Sequence, residues 1–245
     1  MVKCDFAVTK GKFLGHVVNA KRGISADPDK IAAVVGMRQR PSTVADLRTL
    51  IGATSYLRKF IPDYADVTKP LRDIQRYYPY KNSVIKDGHW SMECEAAFNA
   101  LKAALVTAPV LAFPDFNKSF ILLCDASKSQ LGASLCQLDD DGNERPIAYA
   151  SRTLTDAEKN YAITDKEGAA VCYAIRNDQF RPFLLHSKVL VVTDHSSLCQ
   201  LLTKPHLRSQ RQERYALDLM ELDIEIVHRP GALNELADML SRAKI

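Results

Sequence analysis

The sequence predicts an α/β fold in which a mixed five-stranded sheet with flanking helices follows a mostly helical front part. From residue 119 onward, strand and helix patterns alternate in the order β-β-β-α-β-α-α-β-α. Before residue 119 the apolar residues mainly follow helical spacing. The chain has 245 residues, 47% of them apolar, which suffices for a sizeable core and excludes a disordered protein.

The front part begins with a hairpin predicted over residues 5–18, in which Gly11 supplies the turn and residues 13–18 form the second strand. Helices are predicted over residues 28–38, 42–60, 67–74 and 90–106, with a loop over 77–89. Ser42 or Thr43 can cap the helix over 42–60. That helix leaves Arg48, Arg58 and Lys59 outside its apolar face, for solvent or for phosphate.

The back part begins with three predicted strands, over residues 119–125, 131–137 and 145–153, the last two joined by an Asp-Gly turn at 138–144. The remaining elements are a helix over 164–180, a strand over 188–193, a short helix from Ser196, a helix over 209–221, a strand over 222–227 and a final helix over 233–243.

Charge is divided unevenly along the chain. Residues 1–90 carry 16 Lys and Arg against 8 Asp and Glu, whereas residues 91–245 carry 17 against 21. The front part is therefore suited to a polyanion and the back part to a cation. The overall net charge of +4 hides this difference.

The six cysteines include no pair with C-x-x-C spacing, and several lie in apolar runs. They are predicted to be free, buried thiols of a reducing compartment. No signal-peptide pattern follows Met1 and no apolar run reaches 18 residues, so we expect an intracellular protein of the cytoplasm or nucleus, neither secreted nor in a membrane.

Four carboxylates occupy positions at which they could meet. Asp125 and Asp194 close the first and fourth predicted strands, Glu167 lies in the first turn of the long helix on its sheet-facing side, and Asp238 lies in the last helix. Asp165 is predicted to face solvent. Clustered carboxylates repel one another unless cations neutralise them, and oxygen ligands favour Mg²⁺ or Mn²⁺. Taken singly, each one is more simply explained as a turn residue, a helix-dipole charge or a solvated side chain, so the functional interpretation depends on all four together.

The back part resembles the ribonuclease H domain of gypsy-like LTR retrotransposon Pol polyproteins. The segments that carry the resemblance are FILLCDAS (residues 120–127), LGA (131–133), PIAYASR (146–152), YAITDKE (161–167), VTDH (192–195), RPG (229–231) with Asn234, and ADMLSR (237–242). The resemblance implies that Asp125, Glu167, Asp194 and Asp238 bind two Mg²⁺ ions, with Mn²⁺ as a substitute. It also implies hydrolysis of the RNA strand of RNA–DNA hybrids.

The front part resembles the end of a reverse-transcriptase palm and the thumb that follows. FLGH (13–16), DPDK (27–30), YLRKFIP (56–62) and APVLAFPD (108–115) carry this resemblance. It implies a palm remnant at 1–26, a thumb at 27–89, a connecting helical segment at 90–116 and a ribonuclease H domain at 117–245. The nucleic-acid contacts that it suggests are Phe13, Leu14, Gly15, Arg48, Arg58 and Lys59. In the back part, Ser127, Gln130 and Arg152 are separate candidates for contacts with the nucleic-acid backbone or its 2′-hydroxyls.

Polymerase activity is not expected of this chain alone, because no Tyr- or Phe-x-Asp-Asp motif precedes residue 13. Two other hypotheses stay open: a catalytically silent nucleic-acid-binding remnant, and an accessory subunit of a full-length reverse transcriptase. Self-association through the truncated palm is a further predicted contact. His195, and His228 with Arg229, are candidates for assisting the site.

Overall fold

The computed structural model describes residues 8–37, 39–203 and 209–230, and these fall into two compact units. The chain up to Ile61, with residues 70–113, forms the first unit. The segment Pro62–Lys69 and the chain from Pro114 onward form the second. The 62–69 segment, which the sequence prediction assigns to the thumb, thus belongs to the unit that contains the five-stranded sheet.

The first unit combines a small antiparallel sheet with capped helices. Its strands are β1 (Lys10–Phe13), β2 (His16–Asn19) and β3 (Gly23–Ala26), and its helices include α1 (Pro28–Val35) and α2 (Val44–Tyr56). Thr43 and Asp46 form a capping box at the start of α2, which is why that helix begins there. The next helices along the chain are α3 (Tyr64–Val67), which belongs to the second unit, α4 (Lys69–Tyr77) and α5 (Met92–Val106).

The predicted hairpin turn at Gly11 is wrong. Gly11 lies inside β1, and the turn is formed by Leu14 and Gly15, both at positive φ (45° and 69°). A two-residue hairpin turn needs such backbone angles to match the twist of its strands. Gly15 suits this turn because glycine adopts its positive φ without strain, whereas a Cβ there would also require the flexible end of the Lys30 side chain to move and would lie 3.2 Å from the Tyr56 ring.

The second unit contains the predicted mixed five-stranded sheet, and the fold class is confirmed. Its strands are β4 (Phe120–Ala126), β5 (Gln130–Leu138), β6 (Glu144–Thr153), β7 (Lys188–Thr193) and β8 (Asp223–His228). Their order is β6-β5-β4-β7-β8, antiparallel from β6 to β4 and parallel from β4 to β8. The parallel half places the carboxyl ends of β4 and β7 at the same edge.

The helices of the second unit are α6 (Asp156–Lys159), α7 (Ile163–Arg176), α8 (Arg181–Leu184) and α9 (Gln210–Leu219). The sequence prediction missed α6 and α8 and extended α7 to residue 180. Instead, α7 ends at Arg176 because Asn177 is extended and its side chain accepts the N–H of Gln179. The predicted final helix over 233–243 lies outside the described residues.

The sheet of the second unit is buried on both faces at β4. Leu122 and Cys124 are buried on the face that α7 covers, while Ile121 and Leu123 form an apolar cluster with Cys136 and Val192 on the opposite face. Because side chains alternate along a strand, Asp125 projects on the face of Ile121 and Leu123.

The prediction of free thiols is confirmed for the five cysteines that are described, and that of burial for four of them. Cys94, Cys124, Cys136 and Cys172 are buried and Cys199 is half-buried, all as free thiols, while Cys4 lies outside the described residues. Burial raises the pKa of Cys136 to about 12, so this thiol is a packing residue and not a nucleophile.

Among the described helices, none has the length and apolar character needed to cross a bilayer.

Candidate active site

Asp125 and Asp194 come level with each other at the edge where two parallel strands end. The β4–β7 register pairs Leu123 with Val192. When this pairing is continued by two residues along both strands, Asp125 lies beside Asp194. Asp194 is exposed and Asp125 half-buried, so both carboxylates border solvent at the carboxyl end of the sheet.

Glu167 reaches this edge from α7. It is the fifth residue of that helix, so its predicted place in the first turn is wrong by one position, whereas its predicted orientation toward the sheet is right. Glu167 is only 4% exposed. The helix thus buries a carboxylate at the end of β4.

The environment of Glu167 disfavours its charged form. Burial, then the nearby charges of Asp125 and Asp194, raise its pKa to about 8. Within the described part of the chain, its Oε2 atom is buried and has no hydrogen-bond partner. A buried, unpaired carboxylate oxygen is costly unless a cation or proton satisfies it.

The residues present fit a divalent cation in chemistry, although they do not form a complete ligand shell. The donor set is oxygen only, which favours Mg²⁺ or Mn²⁺. Among the described residues, no group of three His, Cys, Asp or Glu side chains is arranged to hold a metal ion by itself. Asp238, the fourth predicted ligand, lies outside the described residues.

A further carboxylate near the site was not predicted from the sequence. Asp63, in the 62–69 segment, borders a small cavity together with Asp125, Gly132, Ser134 and Tyr149. Burial, followed by the charge of Asp125 and then that of Asp66, raises the pKa of Asp63 to about 7. Asp63 precedes Asp125 by more than sixty residues and follows a proline that ends a helical pattern, so no local signal identifies it.

Two predicted nucleic-acid contacts lie in the β4–β5 turn. The hydroxyl of Ser127 accepts the N–H groups of Ser129 (3.2 Å) and Gln130 (3.0 Å), so it shapes the turn. Gln130 is 6% exposed, and within the described residues its Oε1 atom has no partner. Their contacts with nucleic acid stay predictions.

Arg152, another predicted contact, is engaged within the second unit. Its guanidinium donates to both oxygens of Glu158, at 2.7 Å each, and stacks 5.2 Å from the ring centroid of Tyr173. Glu158 also forms a capping box with Thr155 at the start of α6. Arg152 therefore fixes α6 to the end of β6, and its predicted phosphate contact remains untested.

The Arg152–Glu158 pair predicts acid-sensitive stability. Arg152, then backbone and hydroxyl donors of Thr155, hold the pKa of Glu158 at about 2. Since this value lies below the ordinary one, the stabilisation is present above pH 4.5 and is lost as pH falls toward 2. We expect Glu158→Gln to lower the free energy of unfolding by roughly 1–3 kcal/mol at pH 7 and by little at about pH 2.5.

Urea unfolding of the wild type and of Glu158→Gln at several pH values measures the difference between their free energies of unfolding. Asp156→Asn is the matched control, because Asp156 pairs with Lys159 on the exposed side of the same helix and such pairs contribute about 0–1 kcal/mol. An equal loss in both variants, or a loss that does not change with pH, would refute the assignment.

The histidines next to the site hold backbone and helix in place. His195 Nε2 and Thr164 Oγ1 share a hydrogen bond of 2.8 Å, which links the residue after Asp194 to the first turn of α7. His228 Nε2 donates to the carbonyl oxygen of Asp194 at 3.1 Å. Both contacts position Asp194, and His228 ends β8 as predicted.

Arg229 and Asp165 have structural partners. Arg229 Nη1 donates to Glu144 at 2.6 Å, so it ties the chain after β8 to β6. The predicted solvent exposure of Asp165 is wrong, because α9 covers it: Asp165 pairs with Arg211, and its carbonyl accepts the hydroxyl of Tyr215 at 3.2 Å.

The predicted contacts of the front part lie in the first unit. Phe13 and Leu14 are exposed at the β1–β2 turn with Gly15, and Arg48 is exposed on α2. Arg58 and Lys59 belong to a 3₁₀ turn (Arg58–Phe60) that follows α2, so the predicted single helix over 42–60 is divided. Lys59 is half-buried over the ring of Phe60, and burial lowers its pKa.

Comparison with known proteins supports the assignment of the back part. Residues 90–191 match the model of the RNase H-like domain found in reverse transcriptase. The chain is 40% identical to the Retrovirus-related Pol polyprotein from transposon opus of Drosophila melanogaster, over 98% of this chain and 24% of that protein. It is 33% identical to the Transposon Tf2-3 polyprotein of Schizosaccharomyces pombe, over 98% of this chain and 17% of the relative. The chain thus spans a quarter or less of these relatives.

Solved structures agree with the fold. A foamy viral protease-reverse transcriptase in complex with RNA/DNA hybrid superposes with a TM-score of 0.72 at 20% identity, over 90% of this chain and 29% of the other. The same enzyme in complex with dsDNA gives 0.72 at 20% identity, over 91% of this chain and 45% of the other. Over nearly its full length the chain is thus similar to one part of the Pol polyproteins of LTR retrotransposons, which fits the gypsy-like resemblance, and residues 90–191 match the RNase H-like domain found in reverse transcriptase.

Proposed function

We propose that the second unit hydrolyses the RNA strand of RNA–DNA hybrids at a divalent-metal site built by Asp125, Glu167 and Asp194, with Asp238 as the fourth ligand. The observation that carries the proposal is the buried, unpartnered Oε2 atom of Glu167 beside two further carboxylates at one edge of the sheet. A structural carboxylate would have a donor or a basic partner at this depth.

The three described carboxylates have different proposed roles, which follow from their positions at the edge of the sheet. Asp125 lies one residue before the end of the central strand, and we assign it to the set that would hold both cations, as the family resemblance implies. Asp194 is exposed and can approach the scissile phosphate, whereas the buried Glu167 contributes its negative charge from α7. When bound, the divalent cations activate a water and stabilise the leaving oxygen of an in-line displacement.

The positions of Asp125 and Asp194 are held by rigid neighbours. Asp125 lies on the central strand, flanked by β5 and β7, and the backbone of Asp194 is held by His228. Such support keeps charged groups in place without reorganisation during the reaction. Preference for a hybrid would come from groove shape and 2′-hydroxyls, which distinguish RNA from DNA without reading sequence.

The front part is proposed to add affinity for the duplex. Its excess of positive charge and the exposed Arg48 suit phosphate contacts, which position a duplex without specifying its sequence. Polymerisation by this chain alone is not part of the proposal.

A substrate panel tests the proposed reaction. The full chain is incubated with end-labelled RNA–DNA hybrid, RNA duplex, DNA duplex or single-stranded RNA, each with Mg²⁺ or with EDTA, and the products are separated on a gel. We expect cleavage of the RNA strand in the hybrid only, with Mg²⁺ only, leaving 3′-hydroxyl and 5′-phosphate ends. Cleavage of all substrates alike, or binding of hybrid without cleavage, would contradict the proposal; the second result would favour a silent binding remnant.

A further inference from the structure

The 62–69 segment is fixed against the sheet of the second unit close to Asp125. The backbone N–H of Ala65 donates to the hydroxyl of Ser151 on β6 at 2.9 Å, and the hydroxyl of Ser129 donates to Asp66 at 2.9 Å. Tyr64 and Ala65 are buried. Because one anchor lies on β6 and the other in the β4–β5 turn, the segment holds a fixed place over these strands.

Asp63 directly precedes α3 without capping it. It occupies the N-cap position of α3, but its backbone is left-handed (φ 48°, ψ 30°) and its side chain makes no capping hydrogen bond. An aspartate at this position usually accepts an N–H of the first helical turn. Here the carboxylate points instead at β5, where its Oδ1 atom lies only 2.9 Å from the point that a Cβ on Gly132 would occupy.

Gly132 thereby makes room for the carboxylate. Gly132 is the register partner of Asp125, and directly paired residues project on the same face of a sheet. Asp63 is therefore on the face of Asp125. The two carboxylates border one cavity of about 20 Å³, which is room for about one water molecule, and Ser134 and Tyr149 complete its polar lining.

From this geometry we propose that Asp63 is a fifth carboxylate of the candidate metal site, a positioning residue that acts through Asp125. The proposal rests on the proposed function, whose cation is indicated by the unpartnered Oε2 atom of Glu167 beside Asp125 on the α7 side of the sheet, whereas Asp63 adjoins Asp125 from the opposite face. Asp63 adds negative charge next to Asp125. It lies outside residues 90–191, which match the RNase H-like model.

The experiment measures cation binding, not activity. Mn²⁺ is titrated into the full chain, and free Mn²⁺ is followed by its electron paramagnetic resonance signal. We expect Asp63→Asn to weaken Mn²⁺ binding about tenfold, the usual effect of losing a supporting partner of a metal ligand. The same substitution should raise the melting temperature of the metal-free protein, because it removes a repulsion between two carboxylates. Asparagine tolerates the left-handed backbone as well as aspartate does.

Two further variants make the result specific. Asp66→Asn removes a charge from the same segment but keeps an acceptor for Ser129, so we expect Mn²⁺ affinity within about twofold of the wild type. Gly132→Ala keeps the charge of Asp63 but displaces its carboxylate, so it should weaken Mn²⁺ binding as Asp63→Asn does. If circular dichroism shows that Asp63→Asn is unfolded, Gly132→Ala carries the test alone.

The outcomes separate this inference from the proposed function. If Glu167→Gln abolishes Mn²⁺ binding while both Asp63→Asn and Gly132→Ala bind as the wild type does, the role of Asp63 is refuted and the metal site stands. If the wild type binds no Mn²⁺, or Glu167→Gln leaves binding unchanged, the proposed metal site fails and the role of Asp63 fails with it.

Discussion

Replacement of Asp125 by asparagine is expected to lower the rate of hybrid cleavage by roughly 10³-fold or more while the protein stays folded. The estimate follows from losing a charged group that contacts the reacting centre, where single removals cost about 10²–10³-fold, and from its proposed contact with both cations. The asparagine side chain would keep the shape and part of the hydrogen-bonding capacity of the aspartate. The stability of the fold should therefore change little, or increase, because repulsion with Glu167 and Asp63 is relieved.

Single-turnover cleavage of a labelled hybrid at saturating Mg²⁺ measures this loss. Asp178→Asn is the matched control, since Asp178 is exposed after the end of α7 and has no part in the proposed site. We expect that control to cleave within about twofold of the wild type. A rate for Asp125→Asn that lies within about tenfold of the wild type would remove Asp125 from the mechanism.

Replacement of Glu167 by glutamine is expected to stabilise the metal-free protein at alkaline pH. The pKa of Glu167 lies near 8 in the folded chain and near its ordinary value of 4.5 in the unfolded chain. Between these values the folded state binds the extra proton, so the wild type loses stability as pH rises from about 5 to 8. The glutamine side chain does not titrate, so this variant should be more stable by roughly 2–4 kcal/mol at about pH 8.5 and nearly equal at about pH 5.

Urea unfolding in EDTA across this pH range measures the difference between the two proteins. Any decrease in the free energy of unfolding with rising pH that remains in Glu167→Gln is assigned to Asp63. Its pKa is also raised, so it too makes the folded protein less stable as pH rises. Glu213→Gln, an exposed change on α9, should follow the wild-type curve. Saturating Mg²⁺ should stabilise the wild type more than Glu167→Gln, because a cation removes the cost of the buried charge. If the free energy of unfolding changes with pH in the same way in the wild type and in Glu167→Gln, Glu167 does not have the raised pKa of a buried carboxylate, and its proposed role as a ligand is contradicted.

The sequence predicted those parts of the fold that depend on local patterns. The five strands were found because their apolar runs are bounded by turn residues, and Glu167 was oriented correctly because Val171 and Ile175 share its face of the helix. Asp125 and Asp194 were paired because both end buried strands, and the parallel register of β4 and β7 places them level.

The errors arose where distant parts of the chain decide the local structure. The hairpin turn was placed at Gly11, whereas the chain turns at Leu14 and Gly15, next to the side chains of Lys30 and Tyr56. Asp165 was expected in solvent because helical periodicity does not reveal that α9 covers that side of α7. Asp63 was missed for the same reason, since only the tertiary fold brings it to Asp125.

The central claim is that the carboxylates at this sheet edge form a metal-dependent nuclease site. Its most direct test compares the wild-type chain with Asp194→Asn on the same labelled RNA–DNA hybrid, each with Mg²⁺ and with EDTA. We predict cleavage of the RNA strand by the wild type with Mg²⁺, and loss of that cleavage in Asp194→Asn and in EDTA. An equal absence of cleavage in the two proteins, or equal cleavage by both, would contradict the claim.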